Sequence, residues 1–205
     1  MLKRALVASV VLAACGGGTS KPPAYVSDVD GVLAAKPAAR DVAAPATLEA
    51  QPWKVGQWAL YRMTTGDVVG YMRYRAVAQE TCGLWFEQTI ADRSTKLVIK
   101  LCLASPPDLA SATQASLQVN SGAPQVLNPP PKDMTLAGAG WAQQADAPRE
   151  ELRVPAGHFA GSVKTTMTLK GVATTVWSHP AVPLAGTVKV QAANGVTTEL
   201  VDFGP

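Results

Sequence analysis

The chain has 205 residues, of which 47% are apolar and only 16% charged, a mix that can bury a core and is not a disordered composition. Its 18 Lys and Arg against 15 Asp and Glu give a formal charge of +3, and Lys3 and Arg4 supply two of those cations. Without that basic N-terminal pair the charge is about +1, which excludes a nucleic-acid partner held through many phosphate contacts.

In chain order, Met1-Leu2-Lys3-Arg4 is followed by an apolar run from Ala5 to Ala14. Spanning a bilayer takes about 20 apolar residues, so this run is a secretory signal rather than a membrane helix. It ends in Leu12-Ala13-Ala14-Cys15, which resembles the bacterial lipobox. The resemblance implies cleavage after Ala14 and a lipid-modified Cys15 that carries a diacylglycerol on its sulfur and an acyl chain on its amine, with palmitate-like chains. Two or more acyl chains hold a protein stably on a membrane. Gly16, rather than Asp, follows the cysteine, and by resemblance to bacterial sorting this implies the outer membrane, with the domain in the periplasm.

Residues 15–52 read as a lipidated cysteine and a tether. Gly, Ala and Pro dominate and no apolar period is sustained, so a coil with a reach of roughly 35 Å is expected, with a short helix near 42–50. Ser27-Asp28-Val29-Asp30-Gly31 superficially matches the start of a calcium loop, but the closing Glu is missing, so no metal is assigned.

From Trp53 to residue 205 the signals are those of one antiparallel β domain. The stretches 57–63, 68–78, 84–90 and 95–103 are rich in aromatic and β-branched residues and are separated by turn-like sequences, which predicts a four-stranded meander. A second set is predicted at 151–154, 159–170, 172–178, 187–193 and 196–203. Within it Val163, Thr165, Met167 and Leu169 alternate with Lys164, Thr166, Thr168 and Lys170, a period of two with one wet face. Asn194-Gly195 predicts a hairpin with a type I′ turn. Between the sets, residues 104–148 contain Pro106, Pro107, Pro124, Pro129, Pro130, Pro131 and Pro148. Loops are expected there, with a short helix near 107–115 and a strand at 116–120. The expected fold class is mainly β: a single curved antiparallel sheet or half-open barrel with few short helices.

Cys82 and Cys102 remain once Cys15 is lipidated, and an export compartment favours a disulfide. A loop over 91–94 would pair Ile90 with Thr95, Phe86 with Ile99 and Leu84 with Leu101. A one-residue bulge at Gly83 then sets Cys82 opposite Cys102. Two buried free thiols, or a metal site shared with His158 and His179, are the alternatives; the close paired spacing typical of metal sites is missing.

No nucleophile elbow, His-Glu-x-x-His motif or phosphate loop is present, and no cofactor is implied. Imidazole chemistry would rest on His158 or His179, both beside turns, and Glu150, Glu151 and Asp92 read as solvated charges. Trp53, Trp58, Tyr61, Tyr71, Tyr74, Trp85, Phe86, Trp141, Phe159, Trp177 and Phe203 are spread over most predicted strands. They either fill a core or line a pocket for an acyl chain.

The last third adds a pattern: Val154-Pro155-Ala156-Gly157-His158-Phe159, then Val176-Trp177, then Val182-Pro183-Leu184-Ala185-Gly186-Thr187-Val188-Lys189, and finally Thr198-Glu199-Leu200-Val201-Asp202-Phe203-Gly204. These strand lead-ins resemble the LolA/LolB-like group of periplasmic lipoprotein carriers. The resemblance implies an incomplete barrel around an apolar cavity and the binding of a lipid or acyl chain, without catalytic residues. The proline-broken middle departs from the helical lid of that group. The expectation is a non-enzymatic, membrane-anchored lipoprotein that binds an apolar ligand or an envelope protein of unknown identity. A structural lipoprotein with a filled core is the second reading, and a hydrolase or metal-binding module the third.

Overall fold

The computed structural model describes residues 24–34, 40–132, 134, 136, 141–144, 146–169 and 171–205. The segment expected to be a signal, 1–14, and Cys15, the expected lipidation residue, lie outside them. A helix, α1 (Ala24–Ala34), precedes twelve strands: β1 (Arg40–Val42), β2 (Trp58–Thr65), β3 (Val68–Glu80), β4 (Gly83–Ala91), β5 (Lys96–Leu103), β6 (Ala112–Val119), β7 (Gln125–Val126), β8 (Arg149–Val154), β9 (Gly157–Leu169), β10 (Val172–Ser178), β11 (Thr187–Ala192) and β12 (Thr197–Gly204). Single turns of 3₁₀ helix occupy Leu109–Ser111 and Trp141–Gln143.

The strands form one open sheet in the order β1-β9-β10-β11-β12-β2-β3-β4-β5-β6-β7, with β8 paired to β9. The protein is thus mainly β, as its period-two stretches predict. The sheet is mixed because β1 pairs with β9 in parallel. Short turns join β2 through β5, and a longer connection over 104–111 leads into β6 to complete a meander. The join that brings β12 against β2 makes the two strand sets one sheet.

One face of this sheet is covered by its own side chains. Tyr61, Tyr74, Phe86, Leu101, Leu103, Phe159, Val188 and Leu200 belong to a single buried cluster spanning both strand sets. Trp53 packs on Phe86 at 5.2 Å between ring centroids, Phe86 on Tyr74 at 5.5 Å, and Tyr74 on Tyr61 at 5.5 Å. Offset and edge-to-face aromatic contacts of this kind add to the gain from burial alone. On the opposite face a smaller cluster joins Val29 of α1 to Tyr71 and Ala91, with Val32, Leu33 and Leu60 around it.

Within the span expected as a tether, 15–52, the described residues hold α1 and β1. Val29, Val32 and Leu33 fall at helical spacing, and α1 docks them on the sheet, a tertiary contact that a three-turn amphipathic segment needs to be stable. The helix expected at 42–50 is absent: Val42 ends β1, and Ala44 and Pro45 lie against Gly161, where an added Cβ would come within 3.0 Å of Ala44 Cβ. In the middle segment a 3₁₀ turn capped by Asp108 stands where the short helix was expected, and β6 begins earlier than 116. The β11–β12 hairpin forms at Asn194-Gly195, but only Gly195 has positive φ (86°). The turn is therefore not type I′; the longer loop with glycine at its left-handed position matches the twist equally well.

The disulfide is present. Cys82 and Cys102 are bonded, with Cα atoms 6.1 Å apart. The route differs from the expected one. The β4–β5 register pairs Ile90 with Leu97, Phe86 with Leu101 and Leu84 with Leu103, two residues beyond the prediction. A shift of two keeps every side chain on its expected face. Cys102 therefore sits opposite Trp85, and Cys82 reaches it from the β3–β4 turn. No bulge forms in β4; the irregularity lies in β3 between Ala76 and Ala78. Gly83 is required for another reason: at φ +128° an added Cβ would come within 2.0 Å of the Leu103 carbonyl oxygen.

Candidate functional site

The centre of the covered face is filled, so space for a ligand lies at its rim. A cleft of about 480 Å³ opens where four loop segments meet the end of the β3–β4 hairpin. Its walls are Trp53, Leu84, Pro106 and Pro107, Leu136, Trp141, and Leu184 with Ala185. Leu84, Leu136, Trp141, Leu184 and Ala185 are each buried. The volume falls within the range of small-molecule sites, which are concave and largely apolar.

Local chemistry explains how these segments are held. The Trp53 indole N–H donates to the Leu184 carbonyl at 3.1 Å while its ring rests on Phe86, so one side chain ties the strand-free segment before β2 to the loop before β11. Trp141 lies over Gly186, where a Cβ would meet indole Nε1 at 2.4 Å; only glycine permits that approach, and its φ of +70° also suits glycine. Leu184, in the same loop, adopts φ 63°, an uncommon conformation for a bulky residue, at a position that lines the cleft. The amide of Gln51 donates to the Pro180 carbonyl at 2.9 Å and pins the lip. Among the described residues lining the cleft none is titratable. The cleft can exclude water and accept an apolar group; it carries no acid, base or nucleophile.

A larger groove of about 630 Å³ lies on the opposite face beside α1 and is lined by Arg62, Asp67, Asp92 and Arg93. It is a charged surface feature and differs in character from the rim cleft.

The sequence-predicted polar residues are dispersed. His158 lies between two carboxylates, with Nδ1 2.9 Å from Asp41 and Nε2 3.6 Å from Glu151, at the partly exposed edge where β1, β8 and β9 meet. His179 is buried in the loop after β10. Its Nδ1 accepts the Ala181 N–H at 3.1 Å, which leaves the proton on Nε2. Burial lowers its pKa, and the Ala43 and Ala160 backbones partly oppose that shift. This is a neutral histidine used as a loop fastener. Phe159 meets its ring edge-on at 5.7 Å. Cys82 and Cys102, being bonded to each other, offer no thiolates. Among the described residues no cluster of three His, Cys, Asp or Glu side chains is placed to hold a metal ion.

The acidic residues are also put to structural use. Glu150 accepts from the Trp177 indole at 2.8 Å and from Lys164 at 2.9 Å, and these bonds, Trp177 first, hold its pKa below the ordinary value. Asp92 caps the β4–β5 turn. Asp30 of the calcium-like segment sits in α1 and pairs with Arg93 at 3.0 Å.

Comparison with known proteins finds no family model that matches the chain, and no curated protein matches it. The residues lining the cleft were not singled out as a set from sequence. Trp53 and Trp141 are aromatics that fall outside the predicted strands, and that is the sequence signal that could have singled them out.

Proposed function

We propose that this protein is a non-enzymatic lipoprotein, held on a membrane through acylated Cys15, that shelters an apolar group such as an acyl chain in its rim cleft. The observation that carries the reading is the pairing of two buried or half-buried tryptophans with Leu84, Leu136 and Leu184 around about 480 Å³ that contains no titratable side chain. The LolA/LolB-like pattern of strand lead-ins supports the same class of ligand, and the lipobox supports an envelope location, with the domain on the periplasmic side of the outer membrane.

The test is lipid extraction and mass spectrometry of protein purified from membranes, alongside an Ala185→Trp variant that fills the cleft. A stoichiometric acyl ligand, lost in the variant, is the expected result. Preparations that stay empty and fail to take up a fluorescent fatty acid would overturn the reading. Mass spectrometry of the N-terminal peptide separately tests acylation of Cys15.

A second reading is favoured by a specific observation. The middle of the sheet is filled with its own side chains, from Tyr61 to Phe159. On this reading the domain is a solid module that docks on an envelope partner, and the cleft is incidental. Full stability of the empty protein, combined with unchanged behaviour of Ala185→Trp in cells, would favour it.

A further inference from the structure

On the face that carries α1, the sheet gathers a local excess of positive charge. Register places Arg75, Glu87 and Lys100 directly beside one another across β3, β4 and β5, with Arg73 two positions along β3. Glu87 is buried and lies 3.9 Å from Arg73, 3.7 Å from Arg75 and 3.5 Å from Lys100. One carboxylate can neutralise one cation, so three cations around it leave an excess of two. The heads of Arg75 and Lys100 remain in water, and the Arg73 side chain is about one-third exposed although its Nε is buried. Nearby acidic groups do not cancel the excess: Asp30 is engaged by Arg93, and Asp92 is engaged by its own turn. Lys96 begins β5 at even spacing from Lys100 and so shares the face.

The position of α1 relates this patch to the membrane. Tyr71 and Ala91 are register partners, and both lie under the helix. Residues 71, 73 and 75 alternate onto one side of β3, as do 91, 89 and 87 on β4, so the helix and the cationic cluster share a face. Ala24, where α1 begins, follows Cys15 by nine residues, a span of at most about 30 Å when fully extended. A chain acylated at Cys15 therefore keeps this face within reach of headgroups.

We propose that Arg73, Arg75 and Lys100 form a second membrane contact, an electrostatic one to anionic phospholipid headgroups, which sets the domain down on the bilayer by its α1 face and leaves the rim cleft free. The inference rests on the anchored-lipoprotein reading for its setting. It can fail on its own, because the patch is tested without the acyl group. Each Lys or Arg held near an anionic surface raises partitioning about fivefold.

The test uses the chain from Gly16, which keeps every described element, and measures sedimentation with vesicles of phosphatidylcholine containing phosphatidylglycerol. Binding that is absent on pure phosphatidylcholine and released by salt is expected. Arg75→Gln with Lys100→Gln leaves Arg73 to face Glu87, so the local charge stays balanced, and binding should weaken by about 25-fold. Glu87→Gln should tighten it by about fivefold, and Arg153→Gln, on the distant strand β8, should leave it unchanged. Equal binding to both vesicle types, or a double variant that binds like the parent, would overturn the proposal whatever the acylation state of Cys15.

Discussion

Strands β2 to β6 and strands β8 to β12 each pair neighbour with neighbour along the chain, but the second set is also tied down by segments far away in sequence. In the meander the stabilising contacts are short-range: tight turns, cross-strand aromatics and a disulfide spanning 20 residues. In the second set the lead-in to β9 is fixed by β1. Gly157 lies so close to Arg40 that a Cβ would sit 2.2 Å from its carbonyl oxygen. Arg40 stacks over Phe203 at 4.2 Å and pairs with Asp202 at 2.6 Å. The loop before β11 is fastened by Trp53 and Trp141. Neighbour pairing builds both halves of the sheet, and distant ties fix the lead-in and the loop of the second half, while both halves border the cleft.

The strongest test of that contrast compares Phe86→Ala in the meander with Phe159→Ala in the second set. Both side chains are fully buried, and truncating such a ring costs about 3–5 kcal/mol. Because one cluster contains both, each variant should lower a single cooperative transition in denaturant, followed together by tryptophan fluorescence and circular dichroism. Two separated transitions, each moved by one variant, would instead make the halves independent folding units.

Replacing Cys82 and Cys102 together by Ala sharpens the comparison next. The bond closes a loop of about 21 residues, and its loss should cost about 3 kcal/mol in the chain-entropy account, visible as a lower urea midpoint. Gly157→Ala, which strains the β1–β9 junction, should leave the meander hairpins intact and disturb amide-exchange protection in β9 first.

Legibility in the sequence follows locality rather than that division, since the strands of both sets fall within about two residues of where alternation and turns place them. The meander strands, their faces and the Cys82–Cys102 pair could be read because alternation, turns and export redox chemistry are local signals. The two-residue error in register shows the limit, since a shift of two preserves every face and leaves no trace in the pattern. Strand β1 and helix α1 resemble tether in the sequence because three residues, or three turns, carry little periodic signal before they dock. The rim cleft assembles from residues 53, 84, 106, 136, 141 and 184, and no spacing along the chain brings those together.

His179 probes the fastened loop. Burial lowers its pKa below the ordinary 6.5, so the folded state prefers the neutral ring. Its contribution is complete above pH 6.5 and is lost as pH falls towards the lowered folded pKa, when charging the ring becomes coupled to opening the loop. Thermal stability should therefore decline below pH 6.5. His179→Asn, whose side-chain oxygen can accept the Ala181 N–H, should flatten that decline.

Asp92 makes the matching test in the meander, with the smallest effect. Its carboxylate accepts from the Ser94 N–H at 2.7 Å, the Ser94 hydroxyl at 2.7 Å and the Thr95 N–H at 2.8 Å. Partial burial works against the charge, but these hydrogen bonds outweigh it and the pKa drops below 3.8. A depressed carboxylate stabilises the fold above its unfolded pKa and loses that effect as pH falls through the folded one. Asp92→Ala should cost about 1 kcal/mol at neutral pH. Asp92→Asn keeps an acceptor but cannot titrate, so it should retain part of the stability and abolish this residue's share of the loss below about pH 4. If local turn chemistry fixes the β4–β5 register, the alanine variant will also broaden or shift the amide resonances of residues 90–97 while leaving those of β9 unchanged.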